Sequence, residues 1–298
     1  MPENNNPPVR PAPRVSGFNR AVIAEFRANG GRVGGPLAGA ELVLLTTVGA
    51  KTGLEQTSVL GLARVDDRLL VVASAGGAPR HPAWYHNVLA HPMALVELGA
   101  ETFGAVAIPL RGADRDDAFA RILAVAPGFA DYQRQVTRTL PVVALERAFS
   151  AEPAPGSLAD KLIEIHGWLR EQLARVRGET EAHFAARAAA GRAPAVRLNL
   201  RLRQHCLAFC ESLALHHAGE DAGLLPELDR RHPDLHDTIE RLRAEHRVLA
   251  QIRAELEALL DRIDTAEPTR FRTELDQLSE RLIAHLDHEE ATLLPALG

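Results

Sequence analysis

The chain has 298 residues, 46% of them hydrophobic, enough for two ordinary domains with real cores and too apolar for wholesale disorder. Its net charge of −5 is unevenly spread, +2 over residues 1–150 and −7 beyond, with no clustered basic face of the kind nucleic acid requires. Two cysteines exclude a disulfide framework, no apolar run approaches a membrane span, and a reducing cytoplasm is the expected compartment.

Residues 1–16 are rich in Asn and Pro, lack an apolar h-region and read as a flexible tail rather than a secretory signal. An amphipathic helix is expected over 17–29, stopped by Gly30-Gly31. Strands follow at Leu42–Thr47, Ser58–Val65 and Leu69–Ser74, with Asp66-Asp67 as a hairpin turn. Pro82–Ala90 reads as a helix, and Ala94–Leu98 and Phe103–Leu110 as strands about a Gly99-Ala100-Glu101 turn. Helices near 113–125 and 129–138 precede a closing strand at Pro141–Leu145. Residues 17–149 thus form an α+β domain with mostly antiparallel neighbours. Residues 150–156 are a Pro/Ala/Gly linker.

From 157 to 298 every signal is helical. Ser157-x-x-Asp160 resembles a capping box. Helix A is expected over 158–177, B over 195–222, C over 234–262 and D over 268–292. Short connections between long helices predict an all-α up-down-up-down four-helix bundle.

Within it one phrase is written twice. His216-x3-Glu220-Asp221-Ala222-x-Leu224-Leu225-Pro226-x-Leu228 returns as His285-x3-Glu289-Glu290-Ala291-x-Leu293-Leu294-Pro295-x-Leu297. Residues four apart share a helix face, so each copy offers an imidazole and a carboxylate pointing the same way. One such pair alone reads as a solvated ion pair. Here helices A and C also place a histidine in the apolar seam. His166 falls among Leu162, Leu169, Leu173 and Val176, and His246 among Ile239, Leu242, Leu249 and Leu256. Unpaired groups of this kind are costly to bury, and metal coordination gives the four seams a common explanation.

The candidate ligands are His166, His216, Glu220, His246, His285 and Glu289. Six are too many for one structural zinc, which takes about four. Two octahedral ions bridged by the carboxylates fit better, with iron favoured over manganese. Asp221, Glu290 or His217 could orient the ligands. Cys206 and Cys210 read as core filling. His205, about 16 Å of helical rise before His216, falls outside the set.

This half resembles the hemerythrin-like, HHE cation-binding domains, on His166, His216–Pro226, Glu245-His246 and His285–Pro295. The resemblance implies a non-haem di-iron site that binds or senses O2, nitric oxide or peroxide. Oxygen carriers of that family have a second histidine one turn after the helix-C histidine. Here that position is Ala250, which argues against five-histidine oxygen carriage.

In the first half, Leu44–Gly53 is a strand running into a Gly-flanked loop that offers N–H groups, a hydroxyl and Lys51 to a phosphate. Ala73–Asn87 sets Gly76-Gly77, where a flat ligand could approach the backbone, before Trp84, Tyr85, His86 and Asn87. Taken with Asn87-x3-His91-Pro92 and Phe129-Ala130-x-Tyr132-Gln133, these stretches resemble the deazaflavin-dependent nitroreductase family. That resemblance implies an FMN-binding-like split β-barrel. It also implies hydride transfer from reduced coenzyme F420 to a quinone, nitro compound or similar small acceptor, and a possible homodimer. By the same resemblance Lys51, Thr52 and Gly53 would face the cofactor tail. Ala73, Ser74, Ala75, Gly76 and Gly77 would lie along the ring with Trp84, Tyr85, His86 and Asn87, and Tyr132 would act near the acceptor. Glu55 stands where members commonly carry a basic residue, leaving Arg80 as the alternative cation. The expected whole is a two-domain redox protein. The rival is a non-enzymatic di-iron sensor whose barrel only binds a small ligand.

Overall fold

The computed structural model describes residues 17–150, 157–190 and 200–297. The expected tail, most of the linker and the expected start of helix B at 195 lie outside these residues. The chain forms two compact units, 1–147 and 148–298.

In the first unit six strands close a barrel in the order β1-β2-β3-β6-β5-β4. They are β1 (Leu42–Val48), β2 (Glu55–Val65), β3 (Arg68–Val72), β4 (Met93–Leu98), β5 (Glu101–Pro109) and β6 (Val142–Ser150). β1 shows why the barrel holds. Val43 and Leu45 point into the main core with Val71, Val96, Ala105 and Val143. Leu42 and Leu44, on the other face, pack against Ile23 and Phe26 of helix α1 (Gly17–Ala28). Both faces of the strand are therefore covered, and the run LVLL needs no polar alternation. The β2–β3 hairpin turns at Asp66, whose φ of 52° is one that Asp tolerates locally. Three further helices decorate the barrel: α2 (Ala83–Ala90), α3 (Gly112–Val125) and α4 (Gly128–Arg134).

The second unit is an all-α four-helix bundle of α5 (Leu158–Ala190), α6 (Leu200–Gly219), α8 (His236–Asp261) and α9 (Pro268–Leu297). α5 packs on α6 and α9, and α8 packs on the same two. The capping box is formed: the Ser157 backbone N–H donates to Asp160 Oδ2 at 2.8 Å, and the Asp160 N–H to Ser157 Oγ at 3.3 Å. Two departures from expectation are instructive. α5 runs well past Gly178, because Thr180, His183 and Phe184 continue the buried seam and Phe184 meets Phe271 at 5.3 Å. Packing outweighs the glycine's modest helix cost. Helix B does not end as a plain α-helix. It passes through a π-type segment, Glu220–Leu224, into α7 (Leu225–Arg231). No helix among the described residues is long and apolar enough to cross a membrane.

Candidate functional site

The bundle gathers all six expected ligands and adds one. One group comprises His166, His216, Glu220 and Glu289, and the other His217, His246, His285 and Glu289; in each the ligand atoms lie within 4.8 Å of one another. Glu289, fully buried, belongs to both. The addition is His217, which the sequence placed among the orienting residues. It is buried, its ring lies 4.2 Å from that of His246, and its Nε2 has no hydrogen-bond partner. The π-type segment begins three residues later, and such bulges often mark functional sites.

Outer carboxylates set the imidazole tautomers. His166 Nδ1 faces Glu290 Oε1, His246 Nδ1 faces Asp221 Oδ1, and His285 Nδ1 faces Glu245 Oε2, each at 2.9 Å. A carboxylate accepts, so each Nδ1 carries the proton and each Nε2 presents its lone pair inward. Those inward atoms converge: His166 Nε2 lies 2.8 Å from His216 Nε2, and His246 Nε2 lies 3.1 Å from Glu289 Oε1. Asp221 and Glu290 thus take the orienting role read from the sequence. Glu245, one residue before His246, completes the set and was not anticipated in that role.

Whether these residues suit a metal can be judged from their own chemistry. Burial pushes the His216 imidazole down to about 3 and the His217 imidazole down to about 2. Burial, with the neighbouring Glu289 charge, pushes the Glu220 carboxyl up to about 10. Burial also opposes ionisation of Glu289, yet the imidazoles of His166, His246 and His285 crowded around it hold its carboxyl well below the usual range. Both Glu220 oxygens, Glu289 Oε2, His217 Nε2 and His285 Nε2 are buried without a hydrogen-bond partner. Buried lone pairs facing inward with nothing to accept from form an arrangement that cations relieve. The donor set, nitrogen and carboxylate oxygen without sulfur, suits transition-metal cations, iron among them.

The second half of the doubled phrase has its own task. Leu225, Leu228 and Leu293 form one apolar cluster with Leu162, Ile239 and Leu242, with Leu224, Leu294 and Leu297 packed against it. The Leu-Leu-Pro-x-Leu pieces therefore seal the bundle beside the donors. His205 lies outside the donor groups, its Nδ1 2.9 Å from Gln172 Oε1, and Cys206 and Cys210 are buried free thiols.

The barrel carries a cavity of about 840 Å³ lined by Gly49, Lys51, Thr52, Gln56, Arg80, His81, His86, Asn87 and Arg138, among others. Asn87 builds its floor. Its Nδ2 donates to Thr47 Oγ1 at 3.0 Å on β1, and its Oδ1 accepts from the Ala50 N–H at 3.1 Å in the following loop. That loop closes on itself through Gly53 N–H to Gly49 O at 2.7 Å. Space beside Gly49 is tight: a Cβ there would lie 2.5 Å from Thr52 Oγ1 and 3.1 Å from Leu54 O, so Thr52 would have to turn away. Lys51 and Thr52 stand exposed at the rim, while Gly53, at φ 65°, shapes the turn without lining the cavity.

Other expected contacts fall elsewhere. Trp84 and Tyr85 turn into the barrel core with Val88 and are not among the lining residues. Ala73 is fully buried and Ser74 nearly so, while Ala75 and Gly76 are exposed. The space beside Gly77 is taken by Gln135, whose Oε1 would sit 2.3 Å from an added Cβ. Tyr132 is 37% exposed on α4, edge-on to Phe129 at 6.1 Å. The residue that sequence reasoning missed is Arg138. It donates to Ala73 O, Ser74 O and Ala78 O and so ties the 73–78 loop to the cavity wall. Its partners lie some sixty residues away in the chain, and no local signal marks it.

Three cations around a cleft of this size suit an elongated anionic ligand. Neither Lys51 nor Arg80 has an ion-pair partner among the described residues, and Glu55, paired with Val48 across the β1–β2 ladder, is not among the lining residues.

Comparison with known proteins matches each half of the chain to a family model. The family model "F420H(2)-dependent quinone reductase" matches residues 18–147, and "Hemerythrin HHE cation binding domain" matches residues 157–297. F420H(2)-dependent quinone reductases from two strains of Mycobacterium tuberculosis are 40% identical over 130 residues, 42% of this chain and 86% of theirs. The chain belongs to the F420H(2)-dependent quinone reductase family, with a hemerythrin HHE domain following. A solved structure of an F420-H2 dependent reductase is 34% identical, with a TM-score of 0.33 over 36% of this chain and 94% of that one.

Proposed function

We propose that the chain is a redox protein combining a deazaflavin-dependent oxidoreductase barrel with a di-iron bundle. The observation that carries the bundle reading is the pair of buried donor groups sharing Glu289. The barrel reading rests on the family match and on the cation-lined cavity.

In the barrel, bound reduced coenzyme F420 would supply a hydride. Lys51 and Arg80 hold the anionic tail at the rim, Asn87 keeps the 49–53 loop in place, and Arg138 keeps the 73–78 loop against the cleft. A quinone is the acceptor that the family favours; a nitro compound is the broader alternative. No protein nucleophile is needed, since the protein binds and orients while the cofactor reacts. Tyr132, on the exposed face of α4, remains a candidate for contact with the acceptor.

In the bundle, bound iron would supply affinity for O2, nitric oxide or peroxide. His166, His216, His217, His246 and His285 hold the ions by nitrogen, and Glu220 and Glu289 by oxygen. Asp221, Glu245 and Glu290 keep the rings turned inward, and the leucine cluster excludes water. A homodimer is part of the proposal and would show in sedimentation.

Two measurements on the purified full chain test the pair of assignments. Metal analysis with an absorption spectrum should give about two irons per chain. Fluorescence titration with the deazaflavin should show micromolar or tighter binding. Iron without deazaflavin binding would favour the sensor alternative, in which the barrel holds another small ligand.

A further inference from the structure

One side chain in the barrel cavity has its protonation pattern dictated by a neighbour. Arg138 Nη1 donates to His81 Nδ1 at 2.9 Å. The same guanidinium is held by Ala73 O at 3.1 Å, Ser74 O at 2.7 Å and Ala78 O at 3.1 Å, so it cannot swing away without losing three bonds. A guanidinium has only donors and no lone pair to offer. His81 Nδ1 must therefore be bare, and the proton of the neutral ring sits on Nε2. Burial, then the nearby Arg138 and His86, lowers the tendency of the ring to take a second proton. His81 is half-buried against Tyr85 and His86, lines the cavity, and its Nε2 has no hydrogen-bond partner among the described residues. The result is a single, uncharged N–H on the wall of a cleft whose other polar groups include full cations.

That difference sorts ligand atoms. Lys51 and Arg80 attract anionic oxygens. A neutral imidazole N–H is matched to a carbonyl oxygen, which accepts without bringing charge into the cleft.

We infer that His81 is a tautomer-locked hydrogen-bond donor for a carbonyl oxygen on the flat ring bound in the barrel cavity, and that Arg138 is the positioning residue that locks it. The identity of the ring rests on the deazaflavin reading above; the lock does not. A carbonyl of the cofactor ring and a carbonyl of a quinone share the chemistry, and the experiment separates them.

The lock is read by long-range 15N–1H NMR on the full chain. The Nε2–H pattern is expected for His81 at pH 7, giving way to a tautomer mixture in Arg138→Gln. An Nδ1–H or doubly protonated ring in the wild type would overturn it. The donor is read by deazaflavin fluorescence titration and by the KM for menadione, a soluble quinone. His81→Phe, with its melting curve checked, should weaken one of these by roughly 3- to 10-fold, the worth of one neutral hydrogen bond. His81→Gln, which restores an N–H near the same place, should recover most of the loss. A rise in cofactor Kd assigns the bond to the cofactor, and a rise in KM alone assigns it to the quinone. Wild-type values for both in His81→Phe, or no rescue by Gln, would sink the donor role. A wild type that binds no deazaflavin would instead remove the cofactor reading, while the NMR pattern would still decide the lock.

Discussion

The bundle site and the barrel site are built by opposite strategies. In the bundle, the donors sit on helices, all but Glu220 on regular α-helix and Glu220 at the start of the π-type segment, so each is placed by its own helix and fixed by packing. In the barrel, the cavity is made where loops meet. Its architecture depends on Asn87 reaching back to Thr47 and Ala50, and Arg138 reaching back to Ala73, Ser74 and Ala78. A helical seam states its site in a spacing of four; a loop site states it only in folded contacts.

The comparison is most sharply tested at Glu289. If the two donor groups are one shared site, Glu289→Ala should remove both ions, and elemental analysis of the purified chain would show it. Retention of one full equivalent would mean the groups are independent. His217→Ala comes next. Loss of a direct donor should cost at least about tenfold in affinity for one ion while the other is retained, as competition with a chelator would reveal. Unchanged affinity would return His217 to an orienting role.

A third expectation concerns pH and lies outside the metal groups. Burial, with Arg201 and Arg175 nearby, pushes His205 down to about 4. The folded state therefore binds fewer protons than the unfolded one between the ordinary histidine value and 4. The contribution is complete above about pH 6.5 and is lost as pH falls towards 4, up to about 3 kcal/mol. In metal-stripped protein, His205→Gln should flatten the acid limb of urea stability relative to the parent; parallel limbs would contradict it. Smallest is Asn87→Ala, expected to cost about 1–3 kcal/mol through the stranded Thr47 and Ala50 partners. It should also weaken deazaflavin binding, since the loop carrying Lys51 loses its anchor. A change in Tm without a change in Kd would separate the anchor from the site.

Legibility in the sequence follows the same division. His166, His216, Glu220, His246, His285 and Glu289 were all visible because an ionisable residue in an apolar stripe breaks a strong pattern. His217 reads from the sequence only as an orienting residue; an α-helix turns adjacent residues about 100° apart, so the spacing that marks His216 does not mark its neighbour as a donor. The strands of the barrel were readable from their Val, Leu and Thr runs and the hairpin turn at Asp66. Trp84 and Tyr85 misled for the converse reason. Aromatic residues beside a glycine pair suit a ligand ring, but they suit a barrel core equally, and only their burial at 4% and 9% decides. Gly77 misled similarly, since the room it leaves is filled by Gln135 from a segment nearly sixty residues on.

The leucine seal carries a consequence for traffic. The buried cluster of Leu162, Leu225, Leu228, Ile239, Leu242 and Leu293 is aliphatic, with Leu224, Leu294 and Leu297 packed against it. A hydrated ion or an organic acid would have to shed its water to pass such a layer, whereas small diatomic molecules dissolve in hydrocarbon readily. The same leucines that the doubled phrase repeats would thus make that end of the bundle a membrane in miniature, permeable by solubility rather than by a channel.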